Sequence, residues 1–131
     1  MVTEILVERQ GTIADGVLTL QGDQKIDIKV LAEEAQRKVS RFVHMEISTQ
    51  MHAKAPTLIV SNKASWRVPV HLTFPSFGDV GRVGFIHVDP TTGDLEIHPS
   101  VIKEIERRAD ELAFRFTSPA TQQSRLLPET R

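Results

Sequence analysis

The run that decides the fold is Trp66-Arg67-Val68-Pro69-Val70-His71-Leu72-Thr73-Phe74. Apolar and polar side chains alternate along it, which is typical of a strand with one buried face and one open face. Pro69 cannot donate a hydrogen bond to a neighbouring strand, so it predicts an edge position or a bulge at that point. The apolar set predicted to face the core is Trp66, Val68, Val70, Leu72 and Phe74.

A second strand and a turn follow this run. Glycines at positions 78, 81 and 84 space a link that leads into Val83–Val88. Asp89–Gly93 then predicts a hairpin loop in which Gly93 adopts the left-handed conformation. Leu95 and Ile97 continue one face of the last strand. Together these segments predict an antiparallel meander over residues 57–97.

The N-terminal region predicts a hairpin followed by a helix. Residues 2–9 and 16–21 are rich in β-branched and apolar side chains, and an Asp-Gly step lies in the segment between them. We therefore expect a β-hairpin over residues 1–22. Apolar positions spaced by three and four then predict a helix over residues 27–45 with Asp27 as its N-cap; they are Ile28, Leu31, Ala35, Val39 and Phe42.

A second helix is predicted over residues 99–116, with Pro99 in its first turn. Its buried stripe consists of Ile102, Ile105, Ala109, Leu112, Ala113 and Phe116. Residues 118–131 lose this periodicity and are interpreted as a flexible tail. The fold prediction is a single α+β domain over residues 1–117. In it the hairpin and a three- to four-stranded meander form an antiparallel sheet, with both helices packed on one face.

Composition limits the classes of function. The chain has 131 residues, 40% apolar and 25% charged, which fits one globular domain. A net charge of −1 gives no general attraction to nucleic acid or to an anionic membrane. The absence of cysteine excludes disulfides, thiolate zinc sites and cysteine nucleophiles. No signal peptide or membrane span is apparent, so we expect a cytoplasmic protein that binds neither membranes nor nucleic acid.

Histidines are the first candidates for chemistry. His71 and His87 lie on strands predicted to be neighbours, and Asp89 follows His87 by two residues on the same face. Imidazole and carboxylate are common metal ligands, so His71, His87 and Asp89 form an alternative metal site. The other reading is that both histidines lie on the open face of the sheet and that Asp89 bonds the backbone of its own turn.

The glycine-spaced segment between Gly78 and Gly84 resembles a phosphate-binding loop only faintly. A strand follows it, whereas such loops open a helix. We interpret it as a bulged β-link, in which Arg82 could still contact an anion. No serine lies in a nucleophile elbow, and no cofactor is predicted.

Aromatic side chains near the end of the meander suggest a binding surface. Trp66 is either a core residue or, if exposed, an anchor for a protein partner. The predicted binding set is Trp66, Phe74, Phe77, Arg82 and Phe85.

The helix, the Trp66–Val70 run and the turn Val88-Asp89-Pro90-Thr91-Thr92-Gly93-Asp94 resemble a PepSY-type module over about residues 28–97. Such modules pair an amphipathic helix with a short meander and are thought to bind or inhibit peptidases. Most are secreted or attached to membranes, whereas this chain has an additional N-terminal hairpin and C-terminal helix. The resemblance therefore implies a non-enzymatic binding role.

Our expectation is a non-catalytic interaction module that binds a protein partner or itself as a homodimer. Two alternatives stay open at this point. One is a metal-dependent enzyme or binder using His71, His87 and Asp89. The other is an antitoxin-like regulator, which sequesters a nuclease and binds operator DNA.

Overall fold

The computed structural model describes the backbone of residues 4–7, 11–14, 17–20 and 25–117, and the side chains of residues 27–116. The described part forms an open α+β fold, as predicted. Its elements are β1 (Glu4–Val7), β2 (Gly11–Ala14), β3 (Val17–Leu20), β4 (Lys25–Asp27), α1 (Ala32–Glu46), β5 (Met51–Ala53), β6 (Thr57–Val60), β7 (Ala64–Phe74), β8 (Gly78–Val88), β9 (Leu95–Glu96) and α2 (Pro99–Thr117).

Six strands form the main sheet, in the order β1-β6-β7-β8-β9, with β5 beside the second half of β7. The strands from β5 to β9 pair antiparallel, whereas β1 lies parallel to β6. A separate three-stranded sheet has the order β2-β3-β4.

The alternation that predicted β7 is confirmed by burial. Trp66, Val68, Val70 and Leu72 are buried, and the residues between them are only partly buried. The partners of this set on β8 lie on the same face, because Trp66 pairs with Val88 and Val68 with Ile86. The sheet therefore has one core face and one open face.

Pro69 lies in a central strand and not at the edge of the sheet. The Pro69 carbonyl accepts a hydrogen bond from the Lys54 amide at 2.9 Å, so it faces the side of β7 where β5 and β6 lie. The Pro69 nitrogen faces the same side, at the gap between β5 and β6, where no donor is needed. The proline thus occupies the stretch of β7 between its pairings with β6 and β5, where no described strand pairs on that side. A bulge follows directly, between Val70 and His71 in the register with β8.

The glycine-spaced segment belongs to β8 itself. The register with β7 shifts twice, so that Val83 and Val80 are the extra residues of two bulges. Gly78 and Gly81 have φ of 73° and 137°, and Gly93 has the expected left-handed φ of 83°. The bulges allow an 11-residue strand to twist over α2.

Both helices pack on the core face. α1 buries Ala32, Ala35, Val39 and Val43, all on one stripe. α2 lies over β8, where Ile105 faces Gly84 and Leu112 faces Gly81. Pro99 lies in the first turn of α2, as predicted, and the helix runs to Thr117.

The predicted start of the first helix is wrong. Asp27 ends β4, and the N-cap is Leu31, which makes no side-chain capping bond. Residues 28–31 stay outside the helix because the amides of Lys29 and Val30 both donate to the Pro90 carbonyl, at 2.8 and 2.9 Å. This link is joined again to the Asp89–Gly93 turn by Thr91, whose hydroxyl donates to the Asp27 carbonyl.

The N-terminal strands pair differently from the prediction. The partner of β3 is β2, with Ala14 opposite Val17. Because β2 and β3 pair with each other, β1 is free to pair with β6. The predicted tail at residues 118–131 lies outside the described residues. Within the described chain no helix has the length and apolar character needed to cross a membrane.

Candidate functional site

The open face of the sheet carries two polar clusters. Side chains on this face come from every second residue of β7, from their partners on β8, and from β5 and β9. The first cluster centres on Asp79, and the second centres on Phe85.

Asp79 is the hub of the first cluster. Its two carboxylate oxygens each lie 3.0 Å from His71 Nδ1, and Lys54 Nζ lies 3.2 Å from Oδ2. The Gly81 amide donates to Oδ1 at 2.9 Å. Partial burial raises the pKa of Asp79, but the hydrogen bonds from His71, Lys54 and Gly81 outweigh it and lower that pKa to about 2. The carboxylate is therefore ionised at any physiological pH.

His52 extends this network across the sheet. Its ring lies 6.2 Å from that of His71, and its Nδ1 shares a 3.2 Å hydrogen bond with the Thr73 hydroxyl. Burial, followed by the charge of Lys54, lowers the pKa of His52. A carboxylate-oriented imidazole such as His71 is the kind of group that general-base catalysis uses. His71, His52 and Asp79 do not line either of the two grooves beside α2, so neither of them gives this cluster a substrate-sized groove.

The Asp79 network makes a pH-dependent contribution to stability. A carboxyl group with a lowered folded-state pKa stabilises above its ordinary pKa of about 3.8, and this contribution is lost as pH falls toward 2. We expect Asp79→Asn to lower the free energy of unfolding by about 1 kcal/mol at pH 7, a value reduced for solvent screening. The difference should shrink between pH 4 and pH 2. Urea unfolding followed by tryptophan fluorescence measures it.

The matched control for this prediction is Asp110→Asn, which removes one exposed carboxylate from α2. It should change stability by less than about 0.5 kcal/mol at each pH. An Asp79→Asn deficit that persists at pH 2 would contradict the network as described.

In the second cluster two arginines stack on one aromatic ring. The guanidinium carbon of Arg67 lies 4.9 Å from the centroid of Phe85, and that of Arg82 lies 4.5 Å from it. Arg67 is opposite His87, two residues after Phe85, whereas Arg82 precedes Phe85 by three. The ring is therefore flanked by a cation on each side along the strand. We call Arg67, Phe85 and Arg82 the arginine–phenylalanine stack.

His87 lies beside this stack. Burial lowers the pKa of His87; Glu96 raises it, and Arg67 and Lys63 lower it further. The imidazole therefore favours its neutral form, and the positive charge near the stack comes from arginine and lysine and not from His87.

The metal alternative does not assemble from the predicted residues. His71 is four residues along β7 from the position opposite His87, a separation of about 13 Å. Asp89 instead accepts the amides of Thr91 and Thr92 at 2.8 and 3.0 Å, and these bonds lower its pKa. Among residues 27–116 no group of three or more His, Asp or Glu side chains could hold a metal ion.

The predicted aromatic binding set is divided among four places. Trp66 is only 3% exposed and donates its indole N–H to the Val30 carbonyl at 2.7 Å, so it is a core residue and not a contact for a partner. Phe74 packs against the edge of the core. Phe77 contacts Phe116 edge to face, with centroids 5.7 Å apart. Only Arg82 and Phe85 come together on the open face.

Two grooves border α2. The larger, of about 540 Å³, lies between the β8 edge at residues 82–85 and the face of α2 that runs from Ser100 to Arg108. The smaller, of about 380 Å³, is lined by the turn that follows α1, by Met51, Leu72 and Phe74, and by the other side of α2.

The larger groove follows an open strand edge. β9 pairs only with His87 and Val88, so β8 has no second partner from Gly78 to Ile86 among the described strands. Pro69 is opposite Phe85 in the register between β7 and β8. The backbone N and C=O of Pro69 face β5 and β6, so this is a pair without hydrogen bonds between β7 and β8. The N–H and C=O of Phe85 therefore face away from β7. These two groups therefore face the groove side of the sheet.

Other edges of the same sheet are covered. The Ala53 amide donates to Ser40 Oγ and its carbonyl accepts from Gln36 Nε2, both at 3.0 Å, so α1 covers the outer side of β5. The outer side of β6 pairs with β1. The β8 edge is thus the longest strand edge without a partner within the described part of the chain.

Sequence reasoning missed the Asp79 cluster and the role of Arg67. Alternation placed Arg67 and His71 on the open face, but their neighbours depend on a register with two bulges. β5, which carries His52 and is followed directly by Lys54, is only three residues long and had no sequence signal.

Searches against protein-family models, curated proteins and solved structures found no match to this chain. The PepSY resemblance accordingly stays a prediction.

Proposed function

We propose that the protein is a non-catalytic interaction module that self-associates through the β8 edge, with a second copy of the chain as the occupant. The observation that carries this proposal is the β8 edge from Gly78 to Ile86, which pairs with no other described strand and lies beside a groove of about 540 Å³. Strand edges that stay unpaired are templates for strand addition, and proteins normally shield them.

A second copy fits this edge because antiparallel pairing about a two-fold axis is self-complementary. Two β8 strands related in this way would extend the sheet across the interface. The backbone N–H and C=O of Phe85, which point outward, would gain partners in the other copy.

The charges on α2 favour the same arrangement. The face of α2 that borders the groove carries both signs, with Glu104, Arg107, Arg108 and Glu111 linked by ion pairs of 2.7 to 3.2 Å. Ile105 lies over Gly84, so a two-fold axis beside Gly84 brings the two α2 helices antiparallel to each other near Ile105. Antiparallel helix faces that each carry both signs pair carboxylates of one copy with arginines of the other.

Size-exclusion chromatography with light scattering tests the proposal. At tens of micromolar we expect the wild-type chain to have twice its monomer mass. Phe85→Pro removes the outward N–H without removing a bond to β7, so it should yield a monomer. Phe85→Val keeps the N–H while losing the same aromatic ring, and should stay dimeric.

A wild-type monomer, or a Phe85→Pro variant that dimerises as well as Phe85→Val, would overturn the proposal. If the proline variant fails to fold, hydrogen exchange of the wild-type protein gives the answer instead. The Phe85 amide should exchange more slowly as protein concentration rises, because the dimer protects it. An exchange rate that is independent of concentration would also reject the dimer.

A further inference from the structure

The arginine–phenylalanine stack holds two guanidinium groups in fixed positions. Each lies over the ring of Phe85, so the two guanidinium carbons are at most about 9 Å apart. Stacking uses the flat face of a guanidinium and leaves its N–H groups at the edge, available to an anion. The N–H groups of both guanidiniums therefore stay available as hydrogen-bond donors to an anion.

Among the side chains that the structure describes, Arg67 and Arg82 lack the carboxylate partners that their neighbours have. On the same face Lys54 pairs with Asp79 at 3.2 Å and Lys63 with Glu96 at 3.5 Å. Within residues 27–116, by contrast, no carboxylate lies within 4 Å of Arg67 or Arg82. Positive charge in the stack is therefore left uncompensated, even though the whole chain is slightly acidic.

The spacing fits carboxylates on an extended chain. Side chains two residues apart on a strand lie on the same face at about 7 Å, which is within the span of the two guanidiniums. Arginine binds carboxylate through two parallel N–H···O bonds, a geometry that a planar, stacked guanidinium is already oriented to make.

Nucleic acid fits this surface less well. Two guanidinium groups already lie over the Phe85 ring, so they compete with any base for the surface of that ring. The chain has a net charge of −1, which gives no long-range attraction to phosphate.

We propose that the open face of the sheet is a docking surface for an acidic polypeptide segment, whose carboxylates are bound by Arg67 and Arg82 across Phe85. This surface adjoins the β8 edge, since Arg82 and Phe85 also border the groove there, but it uses side chains that project out of the sheet, whereas strand pairing uses backbone groups in its plane. The inference adds a second partner to the self-association proposed above and does not depend on it.

Fluorescence anisotropy with a labelled peptide of alternating glutamate and threonine tests the inference. At about 0.1 M salt we expect saturable binding, and Arg67→Gln with Arg82→Gln should weaken it at least about tenfold. The matched control is Arg41→Gln with Lys103→Gln, which removes the same charge from exposed positions on the two helices. This control should change the affinity less than about threefold.

Two further probes identify the class of ligand. A peptide of alternating lysine and threonine should not bind, and an oligothymidine should bind more weakly than the glutamate peptide. No saturable binding of the glutamate peptide, tighter binding of oligothymidine, or an equal loss in the control variant would each overturn the inference. Chemical-shift changes in the amide spectrum should localise to β7 and β8, and changes confined to other elements would reject this surface.

Discussion

Replacing Trp66 with alanine is expected to lower the free energy of unfolding by about 3–5 kcal/mol. The indole is 3% exposed on the core face of β7, and its N–H donates to the Val30 carbonyl at 2.7 Å. The substitution leaves a large cavity and also removes the only described partner of a buried carbonyl. Urea unfolding followed by circular dichroism measures the effect, since the variant loses the only tryptophan.

A second variant separates packing from hydrogen bonding. Trp66→Phe keeps most of the aromatic volume but leaves the Val30 carbonyl without the indole donor, and should be destabilised by about 2–3 kcal/mol. Phe114→Ala is the control, because Phe114 is 74% exposed on α2 and should change stability by less than about 0.5 kcal/mol. A Trp66→Ala variant within 1 kcal/mol of the wild type would contradict the placement of the indole.

The indole bond also shows what sequence could and could not predict. Alternation placed Trp66 on the apolar face of β7, and helical spacing identified the stripe of α1 above it. Neither pattern identifies Val30 as the acceptor, because the link at residues 28–31 is held by Pro90, sixty residues later. The same distant contact explains why Asp27 does not cap α1 as its residue type suggested.

The candidate site depends even more on register. The face that carries Arg67 and His71 follows from a period of two, and Arg82 was recognised as a possible anion contact. Bringing Arg82 to Phe85, and Asp79 to His71, needs two bulges on β8 that no local signal places at Val80 and Val83. His52 lies on β5 and Lys54 follows that strand directly, and a strand of three residues is too short to predict.

Glycine at position 84 is expected to be required by packing. A Cβ built on Gly84 would lie 2.7 Å from Cγ1 of Ile105, closer than carbon atoms approach each other in folded proteins. Ile105 is 1% exposed and cannot move aside without displacing the core. We therefore expect Gly84→Val to lower the free energy of unfolding by about 2–3 kcal/mol, measured by urea unfolding, although valine favours strands.

A double-mutant cycle identifies the cause of this loss. Ile105→Ala alone should cost about 2–5 kcal/mol because it opens a cavity. In the double variant the side chain of residue 105 is small, so the new valine at position 84 fills part of the cavity. The loss in free energy of unfolding should therefore be smaller than the sum of the two single losses by at least about 1 kcal/mol.

Gly78→Ala provides the contrasting case. No atom lies within 4 Å of a Cβ at that position, but the backbone has φ of 73°. Its loss of about 1 kcal/mol comes from the left-handed backbone alone and should add to that of Ile105→Ala without coupling. If Gly84→Val were additive with Ile105→Ala in the same way, α2 would not lie against β8 at Gly84. The groove beside the β8 edge, and the two-fold axis inferred from it, would then lose their geometric basis.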